Sequence, residues 1–298
     1  MNDQVRSVLR EIGAQLDRNC FPTIHNGGVV VPSSAPVVAT ALGTETANAT
    51  RRPIGPPTGS WEGSTSWQRT AGRPRTTRST SSATCQRFRA AYEAQLTEVW
   101  SAYPETSVWF QDGGMWLLTN SSVLSGLGKS ATFLVAIPFD PQLRVRSWGF
   151  WTTAIGVSWI GPRHTNWPDG DICAYTPTDG TWRPGGNLVT LLDLNTLWAV
   201  RQLHLEEFDR WPGYHSAPHP FERLTELRDD EFCGCENGSL LYRDCCKSAD
   251  LAEDRASIAL HFSRNYMRNG HRAPPHDLVA FALRRSDPPQ LNAFLCAQ

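Results

Sequence analysis

Cys173 stands between two short signatures of polar and aromatic residues. Upstream lie His164-Thr165-Asn166 and the turn-forming Trp167-Pro168-Asp169-Gly170; Asp171-Ile172 then lead into the cysteine, seven residues after the asparagine. Downstream come Trp182-Arg183-Pro184 and an apolar run from Leu188 to Leu205. A cysteine can act as a nucleophile, splitting one difficult acyl transfer into two easier ones. A nearby amide such as Asn166 could stabilise the tetrahedral oxyanion or hold the loop that shapes the site; losing one such donor typically costs about a hundredfold or more. Two other readings of Cys173 are open. Lone cysteines are often small buried hydrophobes, and Ile172 and Tyr175 permit that here. A cysteine hydrolase would pair Cys173 with His204 or His215, because triad partners meet only in space.

A second group of thiols lies further on. Cys233-Gly234-Cys235 and Cys245-Cys246 place four cysteines within fourteen residues, with Asn237-Gly238-Ser239 and Tyr242-Arg243-Asp244 between them. Such a set can close around one tetrahedral Zn²⁺, and four protein ligands leave no position for a catalytic water. The zinc is therefore expected to be structural. A disulfide is disfavoured in a reducing compartment, and a redox dithiol typically uses Cys-x-x-Cys. His215, His219 and Glu222 are metal-ligand types too, but Pro218 and Pro220 prevent one helix from presenting them on a common face. Cys20, Cys85 and Cys296 have no comparable neighbours.

The order His-x-Asn, turn, cysteine, Trp-x-Pro, helix resembles the active-site stretch of ubiquitin-conjugating (E2) enzymes, with Thr165 standing where that family has proline. The resemblance implies a carrier of a ubiquitin-like modifier as a thioester on Cys173, which passes the modifier to a target amine. Asn166 would then be catalytic, His164 a structural hydrogen-bonding residue, and Trp182 and Pro184 the opening of the next helix, where proline suits the first turn. Its partners would be an E1-like adenylating enzyme, the modifier and a protein target. Such genes are often grouped in bacterial operons associated with anti-phage defence. The four cysteines resemble the SEC-C motif, a zinc-binding element of the bacterial protein-secretion ATPase and of many other bacterial proteins. Leu240-Leu241 replaces that motif's basic pair. A catalytically inactive E2-like protein-binding module is the alternative, and the cysteine hydrolase ranks third.

The surrounding pattern supplies elements to carry these residues. Val5, Val8, Leu9, Ile12 and Leu16 fall at helical spacing, predicting a helix over 3–18. Phe88, Tyr92, Leu96, Val99 and Trp100 mark a second helix that ends before Pro104. Strands are expected at 107–110, 115–119, 131–137, 144–152 and 155–160, separated by Gly, Asp, Pro and Asn as hairpins require. A helix over 187–207 follows, and further helices are expected near 251–262 and 276–285. The expected fold class is α+β: an E2-like (UBC) fold with an N-terminal helix, an antiparallel β-meander and C-terminal helices, plus a small zinc-binding module.

Composition sets the outer bounds. The chain of 298 residues can bury a substantial core and fits one to three domains. With 28 basic against 29 acidic residues, it lacks the electrostatic footprint of a dedicated nucleic-acid binder. Residues 32–83, rich in Ser, Thr, Pro, Gly and Arg, cannot bury enough apolar surface to offset their ordering entropy and are expected to be disordered. No stretch approaches the roughly 20 apolar residues of a membrane span. Asp3, Arg6, Arg10 and Glu11 interrupt any signal-peptide core, so a cytoplasmic location is expected. The expected organisation is 1–84 as short helix plus disordered extension, 85–208 as E2-like domain, 209–228 as linker, 229–250 as SEC-C zinc module and 251–298 as C-terminal helices.

Overall fold

The protein is described as a computed structural model. It covers residues 1–18, 24–25, 28–29, 82–121, 124, 126–175, 181–235, 240–267, 272–284 and 286–295. The expectation of disorder over residues 32–83 lies outside the described residues except at Ser82 and Ala83, which are helical instead; Cys20, Cys296 and the Asn237–Ser239 turn also lie outside them.

The architecture is mixed α+β, built on one five-stranded antiparallel sheet. Helix α1 (Asp3–Asp17) comes first, then a short hairpin of β1 (Ile24–His25) and β2 (Gly28–Val29), then helices α2 (Ser82–Glu93) and α3 (Leu96–Ala102). The sheet follows as an unbroken meander of β3 (Ser107–Gln111), β4 (Gly114–Asn120), β5 (Ser130–Pro138), β6 (Arg146–Thr153) and β7 (Gly156–Trp159). Asp112-Gly113 closes the first hairpin with Gly113 at φ 85°, a conformation glycine adopts without steric cost. The single helix expected before Pro104 is broken into two at Ala94-Gln95. Gln95 turns its side chain away to accept a hydrogen bond from the Leu188 amide at 2.8 Å.

Alternation along the strands explains both faces of the sheet. Met115, Leu117, Phe133, Val135 and Ile137 point to one side, where the long helix α4 (Leu188–Phe208) packs with α1, α2 and α3. Trp116, Leu118, Leu134, Ala136, Trp148 and Phe150 point to the other. That second face is covered by α8 (His276–Ala282) and by residues 291–294, through Leu278, Phe281, Leu291 and Phe294. The Trp116 indole N–H donates to the Pro289 carbonyl at 3.0 Å, and Arg146 donates to the Phe294 carbonyl at 3.0 Å. Residues 276–284 and 286–294 thus form an integral layer of the sheet domain, and the helix expected near 276–285 is part of it.

Gly149 on β6 allows a close helix approach: a Cβ there would lie 2.7 Å from the Trp198 ring of α4. Between α4 and the C-terminal layer come α5 (Pro220–Glu226), α6 (Lys247–Ala252) and α7 (Arg255–Phe262). Proline occupies the start of α5, with the His219 side chain capping it, and Trp211 is buried in the core beside α1 and the sheet, so residues 209–228 form an ordered connection. Among the described residues no helix is long and apolar enough to cross a membrane.

Candidate functional site

Residues 163–173 form a tight hairpin seated on the sheet and on α4. Thr165 and Ile172 pair as an antiparallel bridge. The Asn166 amide donates to the Asp171 carbonyl at 2.7 Å, the Gly170 amide to Asn166 at 2.9 Å, and the Cys173 amide to His164 at 3.0 Å. Gly170, at φ 70°, makes the turn possible. The Ile172 amide donates to Ser147 on β6 at 2.7 Å, which registers the hairpin against the sheet. From above, the Trp198 indole N–H donates to the His164 carbonyl at 3.1 Å.

Asp171 is the electrostatic anchor of the hairpin. It is buried, and it receives Arg144 at 2.6 Å and Arg146 at 3.2 Å; Arg146 also pairs with Asp169. Burial pushes the Asp171 carboxyl up, and the two guanidiniums pull it back. The Asn166 side-chain amide donates to Asp171 at 3.2 Å and to the Ile172 carbonyl at 3.5 Å. Of the two roles expected for Asn166, the resting structure therefore displays the loop-holding one. On the outer side, Arg272 donates twice to the Thr165 carbonyl, at 2.8 and 2.6 Å, and lies over the Trp167 ring while pairing with Glu226.

Cys173 emerges at the end of this hairpin as an exposed residue, unlike the other described cysteines, which are partly or fully buried. Protein nonetheless surrounds most of its sulfur. Desolvation pushes the thiol up to about 11, the Asp171 carboxylate adds to the rise, and Arg144 and Arg272 oppose it. A thiol so raised departs from the weakly basic one a ready nucleophile would present. The two imidazoles considered as its partners are engaged elsewhere. His204 bonds the Arg210 carbonyl at 2.9 Å and packs against Gly13 of α1. His215 stands between His164, at 3.1 Å, and the Phe232 carbonyl, at 2.7 Å.

Trp182 and Pro184 fall differently from expectation. Trp182 is buried, its indole N–H donating to the Asn187 carbonyl at 2.7 Å and its ring meeting Tyr175 edge-on at 4.9 Å. Tyr175 in turn donates to the Val145 carbonyl at 3.1 Å, so the aromatic pair walls the chain just after Cys173. Pro184 does not open the helix. It lies in an Arg183–Gly186 turn, and Asn187 caps α4 by accepting the Thr190 amide at 2.9 Å. The cap residue outcompetes the proline because its side-chain oxygen satisfies an orphan amide that proline cannot.

The four cysteines converge as their spacing predicts. The sulfurs of Cys233, Cys235, Cys245 and Cys246 all lie within 4.8 Å of one another, with 3.6 Å between Cys235 and Cys245 and 3.8 Å between Cys245 and Cys246. Zinc–sulfur bonds of about 2.3 Å in a tetrahedron give sulfur–sulfur edges of about 3.8 Å, so the donor set fits a single four-coordinate ion. These separations are far beyond a disulfide bond of about 2.05 Å. A Phe232–Leu241 bridge closes the knuckle, and Gly234, at φ 68°, brings its carbonyl to the Ala217 amide at 2.7 Å. Beneath it, Arg223 forks Asp250 at 2.8 and 2.7 Å, both side chains being buried.

Three contributors were not legible as site residues: Arg163, Glu231 and Arg272. Arg163 and Glu231 form a buried pair that joins the first residue before His164 to the knuckle, and Glu231 also accepts the Trp211 amide at 2.6 Å. Their positions one residue before His164 and two before Cys233 were the only available signal. His215, His219 and Glu222 do not assemble: His219 pairs with His261 at 3.0 Å, away from His215. Comparison of the chain with protein-family profiles, with curated proteins and with solved structures gave no match.

Proposed function

We propose that the protein is an E2-like carrier that holds a ubiquitin-like modifier as a thioester on Cys173 and transfers it to an amine. The observation that carries this reading is an exposed cysteine at the end of a rigid hairpin, with both candidate imidazoles engaged elsewhere. A hydrolase needs a base beside the sulfur to activate water, and the hydrogen-bond partners of His204 and His215 disfavour that reading. The raised pKa of the thiol counts against this reading, because a carrier needs an accessible sulfur that is not strongly basic.

In the loading step the Cys173 thiol loses its proton, sulfur attacks the modifier's C-terminal carbonyl carbon on the E1-like enzyme, and the E1 thiolate leaves. In the discharge step a target amine attacks that carbonyl, a C–N bond forms, and the Cys173 sulfur departs and regains a proton. Asn166, released from Asp171, would supply a donor to the oxyanion. The four-cysteine knuckle would hold zinc, which contributes structure and no reaction step.

Incubation with the cognate E1-like enzyme, modifier and ATP should give a thiol-labile adduct on Cys173. Cys173→Ser should yield a thiol-resistant oxyester or nothing, and Asn166→Ala should load but discharge slowly. An undiminished adduct on Cys173→Ala would move the nucleophile elsewhere. No adduct on the wild type would leave a protein-binding module as the function.

A further inference from the structure

The cysteine knuckle and the Cys173 hairpin share a wall. The Phe232 carbonyl, one residue before Cys233, accepts a hydrogen bond from His215 Nε2 at 2.7 Å. That bond makes Nδ1 of His215 the acceptor of a neutral ring, so His164 Nε2, at 3.1 Å, must donate to it. The His164 ring stacks on buried Trp211 with centroids 4.1 Å apart, and its carbonyl receives the Cys173 amide at 3.0 Å. A parallel strut runs from Arg163 to Glu231, both buried. His164 itself holds φ 52°, a left-handed conformation uncommon for a residue with a Cβ and maintained only if its surroundings enforce it.

We propose that the four-cysteine knuckle is a positioning element for the nucleophile, holding the Cys173 hairpin through Phe232, His215 and His164. This rests on Cys173 being the reactive residue. Closing the knuckle around Zn²⁺ fixes the Phe232 carbonyl, the carbonyl fixes the His215 ring and tautomer, and that ring holds His164 in its strained conformation. Opening the knuckle frees the carbonyl and removes one of the contacts that hold His164 at positive φ. His215 and His164 are thus positioning residues, acting on Cys173 through the backbone.

Hydrogen exchange on the full-length chain tests this without E1-like enzyme or modifier, so failure here is distinct from failure of the carrier function. Removing the metal with a chelator should raise exchange at the Asn166 and Cys173 amides by about fivefold or more, the worth of roughly one hydrogen bond, and added Zn²⁺ should reverse it. Amides of β4 and β5 should be unchanged. His215→Ala should give the same local loosening while still binding one Zn²⁺, and should change the rate at which iodoacetamide alkylates Cys173. His215→Gln, which keeps a donor and an acceptor near the same places, should restore much of the protection. Unchanged exchange at 164–173 on metal removal, or opening of the whole sheet with it, would overturn the inference. So would full protection of the hairpin in His215→Ala.

Discussion

At the scale of single residues, the chemistry of Cys173 follows from what surrounds it. Its thiol, pushed up to about 11, is ionised to about one part in ten thousand at pH 7. Because the thiolate is the reactive form, alkylation of Cys173 by iodoacetamide should climb about tenfold per pH unit from neutral to beyond pH 10. A rate that levels off between pH 8 and 9 would show an ordinary or activated thiol, and peptide mass mapping separates Cys173 from the knuckle cysteines. The raised value has a clear source: desolvation first, then the Asp171 carboxylate, with Arg144 partly neutralised by that same carboxylate. None of this is visible in the local sequence. His164, Asn166 and Cys173 could be singled out by type and spacing, and the hairpin does bring them together. The arginines that tune them come from β6, its preceding loop and the far C-terminal segment, and only folding assembles them.

Secondary structure elements were legible where periodicity was strong. The expected helix over 187–207 is observed as Leu188–Phe208, and the five strands fall within a few residues of their expected limits. The misplacement of Pro184 shows where local rules conflict: proline favours a first turn, but the asparagine three residues on makes the better cap. The knuckle was legible too, because four thiols at that spacing have few other uses. It is bounded by α5 and α6, held below by the Arg223–Asp250 pair, and its own buried cluster is confined to Ala217, Leu227, Cys233 and Tyr242 with the other cysteines packed against them. Protein prepared without chelator should contain one Zn²⁺ per chain by elemental analysis. Replacing Cys245 and Cys246 together with serine should abolish binding and loosen residues 229–250, because metal-binding free energy serves as folding free energy in so small an element. Four free thiols in metal-free, fully folded wild-type protein would rule out a structural metal.

At the scale of the molecule, the sheet is a middle layer, and that was the least legible feature. Strands such as β4 and β5 read as nearly continuous apolar runs, with both alternating faces buried. A meander with one face in water would show polar residues at every second position, so the sequence already required a second cover without saying which segment supplies it. Residues 276–294 do so, packing Leu278, Phe281, Leu291 and Phe294 against Trp116 and Trp148 and ending beside Arg146, the same arginine that anchors Asp171. The C-terminal segment is therefore connected to the Cys173 hairpin through the buried guanidinium of Arg146, in addition to the bonds of Arg272 to Thr165. Each of those four side chains is worth roughly 1.5–3 kcal/mol of burial, a large share of the stability of an ordinary domain. A chain ending at Pro275 should lose cooperative thermal unfolding, bind a hydrophobic dye through the bared tryptophans and aggregate. The milder Phe294→Ala should stay folded with a lower melting temperature, and near-ultraviolet dichroism should report loosened packing around Trp116 and Trp148. A truncated protein that remained monomeric with an unchanged melting temperature would mean the sheet does not need its second cover.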